Sequence, residues 1–169
     1  RQEGNFMKYT EADFQEGRIL DFFKNNLKWK EGRTDEIDKE RWIIPSDLEW
    51  FLQDGNHTNS KSFSNLLKNY NSASDLVEDF INSALLPKIT SSVNAASILR
   101  EQISFKGQIF TLFNEPNIVG ASIDAANLFE KNTFKVIQEA VFERHYPQIN
   151  KKLNRRPDLT FFINGIYFS

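Results

Sequence analysis

The residues that point most directly to chemistry lie near the end of the sequence, where Pro157 and Asp158 precede the apolar run Leu159–Ile163. An apolar run of this length predicts a strand that is buried on both faces. The Asn164-Gly165 pair that follows predicts a two-residue turn into a second strand, because both turn positions need positive φ. Asp158 would then stand at the edge of a sheet, where a carboxylate can hold Mg²⁺ together with waters and phosphate oxygens. This arrangement is typical of the first half of a metal-dependent nuclease site.

A single aspartate does not complete such a site, because a second carboxylate and usually a lysine must come from a neighbouring strand. With an ideal two-residue turn, Phe161 faces Phe168 and Asp158 faces the second residue beyond Ser169. We therefore expect the partners just after Ser169, so that the chain carries part of a site. The alternative interpretation is that Asp158 is only a turn residue that follows a proline.

A basic segment precedes the acid and is the densest in the chain. Its five cations lie within 13 residues, whereas the whole chain carries a formal net charge of −2. Lysines and arginines in such a segment contact DNA phosphates without reading sequence, and a basic patch is the usual mark of a nucleic-acid binder. The alternative is a solvated loop. The candidate DNA-binding residues are Arg144, Lys151, Lys152, Arg155 and Arg156.

The composition is that of one folded domain over residues 1–169. Hydrophobic residues make up 40% and charged residues 26% of the chain, which excludes a disordered polypeptide and is enough for a sizeable core. The 16 phenylalanines predict an aromatic core, and the lack of cysteine excludes disulfides and thiolate metal sites. No run of about 18 apolar residues occurs, so we expect no membrane contact, and a cytoplasmic location fits best.

Local patterns predict a helix-rich first half followed by a sheet, with no internal repeat and no clear domain boundary. Thr10 and Asp13 form a capping pattern before an apolar stripe, and Pro87 should end the fourth helix. The stripe consists of Phe14, Ile19, Leu20, Phe22, Phe23 and Leu27. The central helices resemble an insertion or lid beside the sheet, and the three tryptophans are expected to pack in the core. The predicted helices are Thr10–Leu27, Ser46–Gln53, Phe63–Asn69, Ser74–Leu85, Ser97–Glu101 and Ser122–Glu130, and the predicted strands are Gln108–Phe113, Thr133–Phe142 and Leu159–Ile163.

The C-terminal segment resembles the N-terminal nuclease domain of the restriction (motor) subunit of Type I restriction-modification enzymes. In that family an Asp, an apolar strand, Asn-Gly, a second apolar strand and Glu-x-Lys follow one another, and Asp158, Asn164 and Gly165 stand at the family's spacing. The Glu-x-Lys would begin three residues beyond Ser169. Upstream, FQEGRILDFFKNNLKW is similar to the family's opening helix and IPSDLEWFLQ to a helix of one subgroup, and the elements over Gly107–Leu112 and Asn127–Phe142 are similar to those before the Asp.

The resemblance implies a PD-(D/E)xK restriction-endonuclease-like core, an α/β (α+β) arrangement with a mixed sheet flanked by helices and a helical insertion. It implies that Asp158 and the later Glu hold Mg²⁺, that the later Lys orients the nucleophile, and that Glu16 on the first helix completes the catalytic and metal site. For the full-length protein it implies DNA as substrate, ATP-driven translocation, and modification and specificity subunits as partners. No ATP-binding lysine loop occurs in these residues, and without Glu-x-Lys we expect this fragment alone not to cleave DNA.

Two other functions stay open. One is a non-catalytic α/β interaction module whose hairpin only resembles the motif, and the other is a PD-(D/E)xK defence or repair nuclease outside the Type I context. His57 and His145 lie far apart without metal-ligand spacing. His145 stands beside Arg144, where it could contact a phosphate, but a structural or surface role is expected for it. Downstream sequence separates the three functions, because Glu-x-Lys favours a nuclease and a later Walker motif favours the Type I enzyme. The DNA sequence recognised and the oligomeric state are not encoded in these patterns.

Overall fold

The structure, a computed structural model, describes residues 11–91, 95–116, 123–138, 142–146, 151–155 and 159–168. It is a mixed α/β fold in which a mixed sheet is flanked by helices, as predicted at this level. None of the helices in these ranges is long and apolar enough to cross a membrane. The helices are α1 (Glu11–Asn25), α2 (Pro45–Asp54), α3 (His57–Leu67), α4 (Ala73–Phe80), α5 (Leu86–Ser91), α6 (Ala95–Arg100) and α7 (Ile123–Glu130), and a 3₁₀ turn spans Thr34–Glu36. The strands are β1 (Lys30–Glu31), β2 (Gln102–Phe105), β3 (Gln108–Thr111), β4 (Phe134–Gln138), β5 (Phe142–Tyr146), β6 (Lys151–Arg155), β7 (Leu159–Ile163) and β8 (Ile166–Phe168).

A four-stranded sheet in the order β1-β4-β7-β8 forms the centre of the fold. Strand β1 runs parallel to β4, whereas β4, β7 and β8 are successively antiparallel. The prediction of β7 is confirmed with the same bounds, and Thr160 and Phe162 in it are fully buried. The two-residue turn between β7 and β8 is also confirmed, with a φ of 51° at Asn164 and of 81° at Gly165.

Two predictions about the preceding segment are wrong. The single strand expected over Thr133–Phe142 is shorter, because β4 ends at Gln138 and Phe142 begins the separate strand β5. The loop conformation considered for the basic segment is also wrong over Lys151–Arg155, which form strand β6 and pair antiparallel with β5. The residues of β6 have weak intrinsic strand propensity, and cross-strand pairing in the β5–β6 hairpin overrides it.

Helices α2 to α6 and the β2–β3 hairpin share one hydrophobic core with the turn end of the sheet. Ile163 and Ile166 contribute to this core from β7 and β8. The helices expected to form an insertion or lid therefore belong to the main core, and strand β2 was not predicted. The prediction of an aromatic core is confirmed, because the largest fully buried side chains are Phe51, Phe63, Phe80, Phe110 and Phe162.

The prediction that a helix ends at Pro87 is wrong. Helix α4 continues through a π-helical turn, Ile81–Leu85, into α5. In that turn the Leu86 N–H donates to the Ile81 carbonyl, five residues back. Proline lacks an N–H but is tolerated in the first turn of a helical segment, and the wider turn starts a new segment just before Pro87.

Helix α1 packs on the sheet through its last turns. Phe23 contacts Trp29 and Phe161, with ring centroids 5.1 and 4.8 Å apart, and Trp29 contacts Phe134 at 5.3 Å. Leu20 is buried, as the apolar stripe predicted. Three other members of the predicted stripe are about half exposed, namely Ile19, Phe22 and Leu27.

Candidate functional site

The strand that follows Asp158 is held on both sides. Its first residue, Leu159, pairs with Gln138 at the end of β4, and Phe161 pairs with Phe168 of β8. The predicted pairing of Phe161 with Phe168 is thereby confirmed. Asp158 itself lies outside the described residues, so its position at the rim of the sheet stays a prediction.

The other predicted site residues lie on three elements. Glu16 lies on α1, and its side chain is outside the described part of the structure. The β5–β6 hairpin brings four of the predicted DNA-binding residues onto two adjacent strands, and Arg156 falls outside the described ranges. The four are Arg144 on β5 and Lys151, Lys152 and Arg155 on β6.

The turn at the far end of β7 is packed against the start of α2. The Ile44 N–H donates to the Gly165 carbonyl at 2.8 Å. A Cβ atom at Gly165 would lie 2.5 Å from the Ile44 carbonyl oxygen and 2.7 Å from the Leu48 nitrogen. The turn therefore needs glycine both for its positive φ and for this close approach of two backbones.

Buried asparagines connect this turn to the rest of the fold. The Asn164 Oδ1 accepts from the Thr133 N–H at 2.7 Å, and Asn164 Nδ2 donates to Leu112 O at 2.9 Å and Asn132 Oδ1 at 3.0 Å. Asn132 also exchanges two hydrogen bonds with the Asn114 backbone, at 2.9 and 2.7 Å. Because neither of the Asn132 and Asn164 amides has a donor left for a ligand, these side chains hold the hairpin in place rather than form a binding site.

Replacing one member of this network should destabilise the fold. We expect Asn132→Ala to lower the free energy of unfolding by about 2 kcal/mol, because buried partners on Asn114 and Asn164 are left unsatisfied. Asn127→Ala, at an exposed position of α7, is the control and should change it by less than about 0.5 kcal/mol. Urea denaturation followed by circular dichroism measures both, and equal effects would contradict a structural network.

A lysine inside the sheet forms an unusual charged centre. The Lys135 side chain in β4 is 9% exposed, and its Nζ lies 2.7 Å from Asp47 Oδ2 and 3.0 Å from Glu36 Oε1. Asp47 Oδ2 is buried and accepts no hydrogen bond of good geometry among the described residues, so the nearby ammonium charge is what compensates it. Carboxylates from α2 and from the 3₁₀ turn therefore converge on one buried cation.

The ionisation of this centre favours a structural role. Burial alone would lower the pKa of Lys135, but its close contacts with the negatively charged Asp47 and Glu36 outweigh burial and raise the pKa above the ordinary lysine value. Burial alone would raise the pKa of Glu36, but the Arg33 N–H and Lys135 outweigh it and lower the pKa. Lys135 and Glu36 are therefore both ionised at neutral pH, where neither is poised for general acid or base catalysis.

A groove with a volume of about 600 Å³ opens beside this centre. The residues that follow α1, the start of α2, the end of α7 and the start of β4 form its walls. The volume is within the range of small-molecule sites, which is roughly 300–1,000 Å³. The groove is thus large enough to admit a ligand, and Lys135 and Asp47 lie in its wall.

Two further charge clusters cross-link elements at the surface. Arg41 contacts Asp38 at 2.6 Å and Glu78 at 2.7 Å, which joins the segment before α2 to α4. Lys106, in the β2–β3 turn, contacts Asp79 at 2.7 Å. Hydrogen bonds, first of all from Lys106, hold the pKa of Asp79 well below its usual range. The paired charges in both clusters explain packing of elements and supply no free catalytic group.

The described ranges contain no cluster of three or more potential metal ligands. In that part of the chain, no three His, Cys, Asp or Glu side chains are placed to hold a metal ion. Asp158 lies outside those ranges.

Comparison with known proteins does not extend these observations. No family model matches the chain, and neither a curated protein nor a solved structure is significantly similar to it. Function is therefore inferred from the residues and their geometry.

Sequence reasoning missed two features of the groove. A lysine within the apolar strand FKVI is a signal for a buried counter-ion, but the partners Asp47 and Glu36 lie 88 and 99 positions away in the chain. The expectation that all three tryptophans pack in the core is wrong for Trp50, which is 44% exposed.

Proposed function

We propose that the chain is part of the nuclease domain of a Type I restriction subunit, with a PD-(D/E)xK core that hydrolyses DNA phosphodiester bonds. The observation that best supports this is the register of the β7–β8 hairpin, in which Phe161 pairs with Phe168. Each step back along β7 is a step forward along β8, so a continuation of this register would place Asp158 opposite the second residue beyond Ser169. A Glu-x-Lys at the family's spacing would begin one residue after that position, on the strand adjacent to Asp158.

The packing of α1 supports Glu16 as a second acid of this site. Phe23 contacts Phe161 in the middle of β7, so α1 packs on the strand that follows Asp158. Trp29, after the end of α1, contacts both Phe134 at the start of β4 and the same Phe161. Glu16 lies seven residues before Phe23, about 10 Å along a helix. Asp158 precedes Phe161 by three residues, about 10 Å along a strand, and in this proposal the two acids meet at that end of the sheet.

In this proposal, different residues of the chain bind the metal ion and the DNA. Asp158 and Glu16 supply carboxylate oxygens, the ligands that Mg²⁺ prefers, and the later Glu adds another. Bound Mg²⁺ supplies a water of lowered pKa and stabilises charge on the scissile phosphate. The cations of β5 and β6 bind DNA phosphates independently of sequence. ATP-driven translocation, and contacts with modification and specificity subunits, belong to the full-length protein.

Cleavage of duplex DNA in the presence of Mg²⁺ tests this function. We expect the full-length natural protein to cleave, Asp158→Asn to cleave at background level, and the 169-residue polypeptide alone not to cleave. Asp54→Asn, which removes an exposed carboxylate from the end of α2, is the matched control and should retain full activity. Normal cleavage by Asp158→Asn, or cleavage by the 169-residue polypeptide, would contradict the proposal.

An interaction module is the second candidate, and the exposed apolar face of α1 favours it. Ile19, Phe22 and Leu27 are each about half exposed on or just after this helix, and clustered apolar surface marks protein contacts. A module without catalysis would show no Mg²⁺-dependent cleavage in the full-length protein, and Asp158→Asn would then change nothing. The same cleavage assay therefore separates the two functions.

A further inference from the structure

A cationic groove lies at the opposite end of β7 from Asp158. The groove of about 600 Å³ is lined by Phe134 at the start of β4, which pairs with Ile163 at the end of β7. Leu159 is the other end of that strand, about 13 Å away at the rise of a β-strand, and Asp158 precedes it in the sequence. The groove is therefore separate from the proposed metal site.

The charge of the groove is opposite in sign to that of the chain. Four lysines and the carboxylates of Asp47 and Glu130 line it, a difference of +2, whereas the formal charge of the whole chain is −2. Lys135 is neutralised by Asp47 and by Glu36, which lies outside the lining of the groove. The other three lysines of the groove are Lys28, Lys30 and Lys131. All three are exposed, and none of them forms an ion pair within the described residues.

An exposed indole completes the wall. Trp50 lies on α2, lines the groove and is 44% exposed. The other tryptophans are packed against neighbours: Trp29 against Phe134 and Trp42 against Tyr167. Proteins that bind single-stranded nucleic acids combine an exposed aromatic ring with unpaired cations, because the bases stack on the ring while the phosphates contact the cations.

We propose that this groove binds a single strand of nucleic acid. Its phosphates contact Lys28, Lys30 and Lys131, and one unpaired base stacks on Trp50. Lys135 does not contact the ligand as a free charge, because Asp47 and Glu36 already neutralise it.

The chemistry of the wall distinguishes this ligand from related ones. A duplex keeps its bases stacked on one another, so it could use the lysines but not the ring of Trp50. A mononucleotide could stack on Trp50 but has too few phosphates for three separate lysines. An acidic peptide would satisfy the lysines and leave the exposed indole without a role. A strand of several nucleotides uses both features together.

Fluorescence anisotropy tests binding of a labelled oligothymidylate to the whole chain in the absence of Mg²⁺. An oligothymidylate of about 12 nucleotides is suitable, because this length is within the usual site sizes of single-strand binding proteins. We expect saturable binding that weakens with salt, and quenching of tryptophan fluorescence that is lost in Trp50→Phe. A duplex of equal length and thymidine monophosphate should each bind at least about tenfold more weakly. Equal affinity for either would overturn the proposal.

Substitutions locate the site. The double variant Lys28→Gln/Lys131→Gln should reduce the slope of log affinity against log salt by about 1.4, the value for two lost single-strand phosphate contacts. Trp50→Ala should weaken binding at least about fivefold. The control Lys61→Gln/Lys68→Gln removes the same charge from two exposed positions outside the groove, and it should leave the slope unchanged.

The outcome is independent of the nuclease proposal, because no cleavage is measured. If Lys151→Gln/Lys152→Gln abolishes binding and the groove variants have no effect, then the strand binds on β6 and the groove proposal is wrong. If the control and groove variants weaken binding equally, the attraction is only bulk charge, and the proposal is also wrong.

Discussion

Gly165→Ala is expected to lower the free energy of unfolding by about 4 kcal/mol, as the sum of backbone strain and overpacking against rigid backbone. The residue has a φ of 81°, which a side chain disfavours. Its new Cβ would also lie 2.5 Å from Ile44 O and 2.7 Å from Leu48 N, at the start of α2. Because these are backbone atoms, rotation of a side chain does not relieve the contact, and the hairpin must move away from the helix.

Gly107→Ala is the matched control, because it separates strain from contact. Gly107 has a φ of 76°, close to that of Gly165, but a Cβ there would meet no atom within 4 Å. The control should therefore cost only about 1 kcal/mol, the value for an alanine forced into this conformation. Chemical denaturation of both variants gives the comparison. Equal losses of stability would show that the packing of the turn on α2 contributes nothing.

The β7–β8 hairpin could be predicted from sequence because every signal for it is local. An apolar run and an Asn-Gly pair act within ten residues, and the bounds of β7, the positive φ values and the Phe161–Phe168 register all agree with the prediction. Strand β6 could not be predicted in this way, because its strand conformation depends on pairing with β5 rather than on its own residues. The prediction that a helix ends at Pro87 failed because the π-helical turn before this residue changes the hydrogen-bond pattern, so that the helix continues past the proline.

The groove could not be predicted, because its residues come from distant parts of the chain. Lys28, Trp50 and Lys131 approach one another only after α1, α2 and α7 have packed around the start of β4. Nothing in the local sequence distinguishes the exposed Trp50 from the packed Trp29. The predicted catalytic acid differs from the groove residues, because Asp158 was predicted from residues adjacent to it in the sequence. Its structural surroundings depend on residues outside the described ranges.

Lys135→Met is the second substitution with a large expected effect. It removes the charge that compensates Asp47 and Glu36, and we expect a loss of about 3 kcal/mol, the lower end for breaking a buried ion pair. The lower end applies because the side chain of Glu36 is 27% exposed and can be hydrated, whereas that of Asp47 is only 16% exposed. Lys30→Met, which replaces an exposed lysine of the neighbouring strand, should change stability by less than about 0.5 kcal/mol.

A compensating change tests the cause of that loss. In Lys135→Met/Asp47→Leu both the cation and the more buried carboxylate are replaced by apolar groups, and replacement of a whole buried pair is often neutral. We therefore expect the double variant to recover most of the stability that Lys135→Met loses. If it is no more stable than the single variant, the lysine stabilises the fold through packing of its aliphatic chain and not through its charge.

The pH dependence of the same variants gives an independent measurement. The pKa of Lys135 is raised in the folded state, so its contribution is complete below the unfolded lysine pKa of about 10.4 and is lost as the pH rises through the folded value. The pKa of Glu36 is lowered, so its contribution is complete above the unfolded value of about 4.3 and is lost as the pH falls through the folded value. The stability difference between the natural chain and Lys135→Met should therefore be largest between about pH 5 and pH 10, and should decrease on both sides. A difference that stays constant into the acid range would contradict an ion pair between Lys135 and Glu36.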